Sequence, residues 1–386
     1  MRRSAAGCFR PNETLSAAFF CQPEVRREPV GITAPRAFHR RLPEYAPTPL
    51  RDAPEIAAAL GIKQLLLKDE SARLGLPAFK ILGASWAIYR ALEARFGRSL
   101  EPWETTGELI AKLAPLRPLC LTTATDGNHG RAVAHVAAFF GFAARIYVPE
   151  GTARPRIEGI AGEGAEVIVV NGTYDDAVAR AAADASDNCL VISDTSWPGY
   201  EEIPRWVIEG YSTIFAEIEE QLAVRNEETP DLIAVQFGVG ALAAALVRYP
   251  WPDSQPKLLS VEPLRAACAL ASVQAGHIVE VPGPHDSIMA GLNCGQVSLV
   301  AWPIISLGID GFIAIPDERA RAAMRALAKI GIVAGETGAA GLAGLMEALQ
   351  LPEARDCLKV DDQIRALLIV TEDATDPLSY ERIVRR

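Results

Sequence analysis

Leu119-Cys120-Leu121-Thr122-Thr123-Ala124-Thr125-Asp126-Gly127-Asn128-His129-Gly130 sets the grammar of this 386-residue chain. A short apolar run of strand length meets a polar, glycine-containing turn, and Arg131 to Phe140 continues at helical spacing. The same unit then recurs downstream. Ala144 to Val148 reads as a strand, about Pro155 to Ala161 as a helix, Glu166 to Val170 as a strand, Tyr174 to Ala185 as a helix and Cys189 to Ser193 as a fourth strand. A second series follows: strand Asp231 to Val235, the turn Gly238-Val239-Gly240, helix Ala241 to Arg248 and strand Leu258 to Val261. Helices Arg319 to Lys329 and Ala339 to Leu349 lead to a last strand, Ala366 to Val370. Alternation of this kind predicts an α/β fold of two open, twisted, mostly parallel sheets with helices on both faces.

Upstream the signal is weaker. Residues 1–44 have little periodicity and read as an irregular arm, and Tyr45 to Leu50 reads as a stiff turn. Asp52 to Leu60 forms a short helix capped by Gly61, Gln64 to Lys68 a strand, and Ile81 to Phe96 a buried helix. The expected division places residues 1–83 and 206–386 in a larger domain, with 84–205 as a smaller α/β domain inserted in it.

Composition narrows the function classes. Apolar residues make up 49% and charged residues 22% of the chain, which excludes global disorder. The net charge of −10 (38 basic against 48 acidic residues) carries no basic block, so neither nucleic acid nor an anionic membrane is expected as a partner. No apolar run reaches the roughly 18 residues of a membrane span. Arg2-Arg3 precedes only a short apolar patch, Leu15 to Phe20, too brief for a secretory signal core, so a cytoplasmic location is expected. Seven scattered cysteines without a C-x-x-C suggest neither a disulfide framework nor a zinc site. Cys120 and Cys189 read as core residues, while Cys268 and Cys294 are the one pair singled out for proximity, expected reduced.

In such sheets ligands lie beyond the carboxyl ends of the strands, so strand-end loops hold the candidate chemistry. Lys80 follows one strand end, set between Phe79 and Ile81 in the stretch Lys68 to Gly83. Two readings are open: a lysine that snorkels its head to water, or a Schiff-base lysine whose amine is kept neutral by partial desolvation. Phe237-Gly238-Val239-Gly240-Ala241 is either a tight packing turn or a loop whose backbone N–H groups cradle a phosphate at a helix start. Ala243 stands where a dinucleotide fingerprint needs its third glycine. Thr125 to Gly130 offers a hydroxyl, a carboxylate, an amide and an imidazole within six positions, and Asp194 is a further strand-end carboxylate or a helix cap. Their spacing suits no metal. An amine, a phosphate cradle and a polar strand-end cluster together fit pyridoxal 5'-phosphate.

These stretches resemble the fold-type II, tryptophan-synthase-β-like pyridoxal phosphate enzymes. More narrowly, Lys68-Asp69-Glu70-Ser71 through Lys80, Ala124 to Arg131, Asp194 to Tyr211 and Ser287 to Leu292 resemble the diaminopropionate ammonia-lyase family. Gly335 to Ala339 and Thr371-Glu372 through Pro377 add to the likeness, which runs from about Tyr45 to the C-terminus. The resemblance implies that the larger domain binds the cofactor and that Lys80 forms its Schiff base, with Phe79 near the ring. Asn128 would bond the phenolic oxygen, Gly238, Val239, Gly240 and Ala241 the phosphate, and Thr371 the pyridine nitrogen. Thr125, Gly127 and His129 would surround the carboxylate of a small amino-acid substrate, with Asp126 and Asp194 near its Cα and β-ammonium group. It further implies a homodimer that converts 2,3-diaminopropionate to pyruvate and ammonia, Lys80 or Asp126 taking the Cα proton. A serine or threonine dehydratase and a non-catalytic cofactor-binding homologue are the alternatives. Three positions depart from the family pattern: Asp373 in place of glycine, Val297 in place of proline and Leu74 in place of phenylalanine. The first would set a carboxylate near the pyridine nitrogen.

Overall fold

Ala366-Leu367-Leu368-Ile369-Val370 has no polar residue at either parity, and its surroundings require none. Leu367 and Ile369 enter the core that holds Ile233 and Val235, while Ala366 and Leu368 enter a second core with Leu232 and Ala234. Successive side chains of a strand point to opposite faces, so a strand covered on both faces must be apolar throughout.

The computed structural model describes residues 17–385. In chain order its strands are β1 Ala18–Cys21, β2 Leu50–Asp52, β3 Gln64–Asp69, β4 Cys120–Ala124, β5 Ala143–Pro149, β6 Glu166–Val170, β7 Cys189–Val191, β8 Leu232–Gln236, β9 Lys257–Pro263, β10 Gly311–Ile315 and β11 Arg365–Val370. Among the described residues one sheet has the order β1-β10-β9-β8-β11-β3-β2 and the other β6-β5-β4-β7. Pairing is parallel throughout the second sheet; in the first only the outer strands, β1 on β10 and β2 on β3, run antiparallel. Two mostly parallel α/β sheets are therefore present, as the alternating pattern predicted. No helix among the described residues is long and apolar enough to cross a membrane.

The helix Lys80–Phe96 joins the two sheets' layers. Ile81, Leu82, Ala84, Trp86, Ala87, Ile88, Ala91 and Leu92 are buried, and Gly97 ends it in the left-handed conformation. Gly83 lets the helix Glu202–Gly210 and Tyr211 approach closely: a Cβ there would stand 2.6 Å from the Tyr211 ring. Any larger residue would push the helix off Tyr211.

Several expectations are corrected. The arm is not irregular throughout: β1 pairs with β10, and Ala34–His39 is helical. Leu50 to Asp52 forms β2 rather than ending a turn, and the helix after it begins at Pro54, where proline fits the first turn. The helix from Tyr174 ends at Ala182, and β7 stops at Val191. Cys21 is disulfide-bonded to Cys357 in the helix Pro352–Leu358, although no disulfide was expected. The two cysteines stand 336 residues apart, and only the pairing of β1 at the sheet edge brings them together. Cys268 and Cys294 are free thiols. Arg2-Arg3, Cys8 and the first two residues of the Leu15–Phe20 patch lie outside the described residues.

Candidate active site

Four strand ends converge on one cleft. The loop after β4 and the start of helix Asn128–Phe140 supply Thr125, Asp126, Gly127, Asn128 and His129; the loop after β8 supplies Gly238, Val239, Gly240 and Ala241; and Thr371 follows the last residue of β11. Phe79 and Lys80 at the head of the joining helix and Asp194 after β7 line the same cleft. Every residue given a cofactor or substrate role in the sequence is thus on its wall. Tyr174, Tyr211, Arg156 and Glu372 also line it and were assigned no role. Tyr211 and Glu372 stand inside stretches quoted for the resemblance, whereas Arg156 carries no local signal.

Lys80 is held from below by a buried ionic cluster. Arg73 bonds Glu70 and Glu217, Lys68 Nζ reaches Glu217 at 2.8 Å, and the Thr48 hydroxyl donates to Glu70 at 2.6 Å. These four charged side chains are fully buried, two of each sign, so every charge has a partner. The cluster fixes the loop between β3 and Phe79 and so the point from which Lys80 projects.

Lys80 Nζ lies 2.7 Å from Asp194 Oδ2. Burial disfavours the ammonium, but the pair with Asp194, with Tyr211 and Asp126 behind it, holds the amine above the ordinary lysine range. Partial desolvation therefore does not neutralise Lys80 in this state, contrary to expectation, because a carboxylate sits on it. Burial would raise Asp194, and the Lys80 ammonium outweighs that and holds it low. Asp126 behaves oppositely: burial pushes its carboxyl up to about 6 against the pull of Arg156 and Lys80.

His129 bonds the Ile192 carbonyl through Nε2 at 2.8 Å, which places its proton on that nitrogen. Burial keeps the ring neutral, and Nδ1 faces Asp194 Oδ2 at 3.9 Å with no hydrogen-bond partner. The hydroxyls of Tyr211 and Thr371 are likewise buried without partners. Buried polar groups left open around one cleft are waiting for a ligand's polar atoms. Gly240 adopts φ +100°, and the helix Ala241–Arg248 that follows has no side-chain cap on its first N–H groups. Those donors suit a phosphate. An amine, a phosphate cradle and an orphaned hydroxyl fit pyridoxal phosphate. Asp373 does not line the cleft; its carboxylate accepts from the Ala374 N–H at 2.7 Å, and Glu372 faces the site instead.

The model of the pyridoxal-phosphate dependent enzyme family matches residues 42–372. The diaminopropionate ammonia-lyase of Salmonella typhimurium is 37% identical over 367 residues, and that of Escherichia coli K12 36% identical over 361, each alignment spanning 90% of both chains. The solved holo diaminopropionate ammonia-lyase of Escherichia coli superposes with a TM-score of 0.88 at 32% identity, covering 96% of this chain and 97% of that one. The same enzyme in complex with an aminoacrylate-PLP azomethine reaction intermediate gives 0.86 at 33%, with the same coverage.

Proposed function

The chain belongs to the pyridoxal-phosphate dependent enzymes, and from that premise we propose that it is an ammonia-lyase acting on 2,3-diaminopropionate. One diaminopropionate and one water give one pyruvate and two ammonia. The observation that carries this reading is the pair of carboxylates, Asp126 and Asp194, in one cleft with Lys80.

Lys80 would hold the cofactor through its amine, residues 238–241 its phosphate, Asn128 its phenolic oxygen, and the unpartnered Thr371 hydroxyl its ring nitrogen. When bound, the cofactor supplies an electron sink for the charge left at Cα. Asp126, with its carboxyl near neutrality, is suited to take the Cα proton at physiological pH. Once the Lys80 amine is engaged, Asp194 loses its ammonium partner and can accept from the substrate's β-ammonium group. A hydroxy amino acid offers no cation there, which favours the diamino substrate over serine or threonine. Thr125 and Gly127 would flank the substrate carboxylate: the Thr125 hydroxyl oxygen accepts the Gly127 N–H at 2.9 Å, which leaves the hydroxyl proton to donate. His129 has no free N–H to offer a carboxylate, so its open Nδ1 would instead accept from an N–H of the substrate. We further propose a cytoplasmic homodimer, an expectation that rests on the family resemblance. Sedimentation equilibrium that returns only a monomer-sized species would overturn the dimer.

Purified protein supplemented with pyridoxal phosphate is expected to show the cofactor's visible absorbance, and Lys80→Ala to lose both that band and turnover. Pyruvate should form faster from diaminopropionate than from serine or threonine at equal concentration. A higher kcat/KM for a hydroxy amino acid would overturn the role given to Asp194, and a bound cofactor without any elimination would point to the non-catalytic homologue.

A further inference from the structure

Asn128 and Glu372 face each other across the cleft from different sheets. Asn128 opens the helix after β4, and Glu372 follows Thr371 at the end of β11. The Asn128 side-chain amide donates to Glu372 Oε2, while Glu372 Oε1 accepts the Thr337 backbone N–H at 3.1 Å. Glu372 is only 2% exposed. A buried carboxylate is costly, and a neutral glutamine could fill the same space, so bare packing does not account for the acid.

Burial raises the Glu372 carboxyl while Arg156 and the N–H groups of Asn128 and Thr337 favour its ionised form, and an ionised carboxylate only accepts hydrogen bonds. It therefore dictates which way the Asn128 amide is turned: the NH2 group faces β11, one hydrogen is given to Glu372, and the other remains. A glutamine at 372 both donates and accepts, and would tolerate either orientation of the amide. We propose that Glu372 is a positioning residue that locks the orientation of the Asn128 amide so that its remaining N–H is presented to the cofactor's phenolic oxygen. Through the same bond it ties the wall built on the smaller sheet to the wall built on the larger one. This rests on the reading of Asn128 as the donor to that oxygen, and it does not depend on which amino acid is the substrate.

The test is a titration of cofactor-free full-length protein with pyridoxal phosphate, followed by visible absorbance without substrate. Glu372→Gln is expected to raise the cofactor Kd about tenfold, the size of one lost charge-assisted hydrogen bond, and to move the absorbance maximum in the same direction as Asn128→Ala. Because Glu372 acts through Asn128, the double variant should bind no more weakly than Asn128→Ala alone. An unchanged thermal midpoint of the cofactor-free protein shows that folding is intact. If Glu372→Gln does not fold, Glu372→Asp, which withdraws the carboxylate by one methylene, takes its place in the same cycle. A Kd within twofold of wild type, or penalties that multiply in the double variant, overturns the proposal. A silent Asn128→Ala removes the reading of Asn128 and this inference with it, while leaving Lys80 and the proposed reaction standing.

Discussion

Asp126 and Asp194 are the same side chain in the same cleft, yet their surroundings move their proton affinities in opposite directions. Lys80 at 2.7 Å outweighs burial at Asp194, whereas burial outweighs the more distant Arg156 and Lys80 at Asp126. Two carboxylates driven apart in this way mark one as a proton acceptor and the other as a fixed counter-charge. Asp126 works as a base only when ionised, so kcat/KM should fall as pH drops through about 6, the value its burial sets. Asp126→Asn should lose about 100-fold or more toward the stereoisomer whose Cα proton Asp126 takes, and spare the isomer served by Lys80. Coupled pyruvate assays on each isomer from pH 5 to 8 check both; equal losses on both isomers would show that the two faces do not have separate bases. At this scale the sequence was informative about position and less so about state. Lysine, aspartate and asparagine at strand ends could be read directly, but the charge on Lys80 depends on Asp194, 114 residues away, which local sequence does not encode.

Elements placed at strand ends were legible wherever their signal is local. Gly238-Val239-Gly240 was read as a strand-to-helix turn, and the backbone needs it to be one, since Gly240 sits at φ +100° and a Cβ would stand 2.7 Å from the Phe237 ring. Gly240→Ala should therefore cost about 1–3 kcal/mol of stability and weaken cofactor binding more than that, because the strained loop would draw its N–H groups away from the phosphate. Urea unfolding with and without saturating pyridoxal phosphate separates the two effects. Elements that exist only through a distant partner were not legible. Ala18-Phe19-Phe20-Cys21 is too short to declare itself, and it becomes β1 because β10 offers an unpaired edge. The Cys21–Cys357 bond then staples that edge strand to the helix Pro352–Leu358. Cys21→Ser should lower the unfolding free energy by about 2–4 kcal/mol, and a reducing agent should do the same to the wild type and nothing further to the variant. If reductant leaves the wild-type urea midpoint unchanged, the staple does not form in solution.

On the scale of the whole molecule, the arm that looked irregular closes over the joining helix, and His39 is where it is fastened. The fully buried ring donates from Nε2 to the Leu82 carbonyl at 3.0 Å and accepts at Nδ1 from the Thr213 hydroxyl at 2.8 Å. One residue thereby joins the arm, the helix that begins at Lys80 and the helix Ser212–Arg225. Burial pushes its pKa down to about 3, with Arg73 adding to that. In the unfolded chain a histidine titrates near 6.5, so below that pH the unfolded state binds a proton that the native state refuses. The contribution of His39 is fully present above about pH 6.5 and is lost as pH falls toward 3. Between pH 7 and 5 the loss should be about 2 kcal/mol. His129, also held neutral by burial, adds a slope of the same sign, whereas Asp126, raised by burial, gives the opposite sign because its folded form keeps a proton that the unfolded form has released. The net pH dependence of the wild type is therefore a difference of opposing slopes, and His39 must be isolated by substitution. His39→Gln is expected to be less stable than wild type at pH 7, and the gap should narrow by about 2 kcal/mol at pH 5. Urea unfolding of cofactor-free protein at both pH values measures it. A gap that stays constant would mean that the folded and unfolded chains protonate this ring alike, so that burial does not hold His39 neutral.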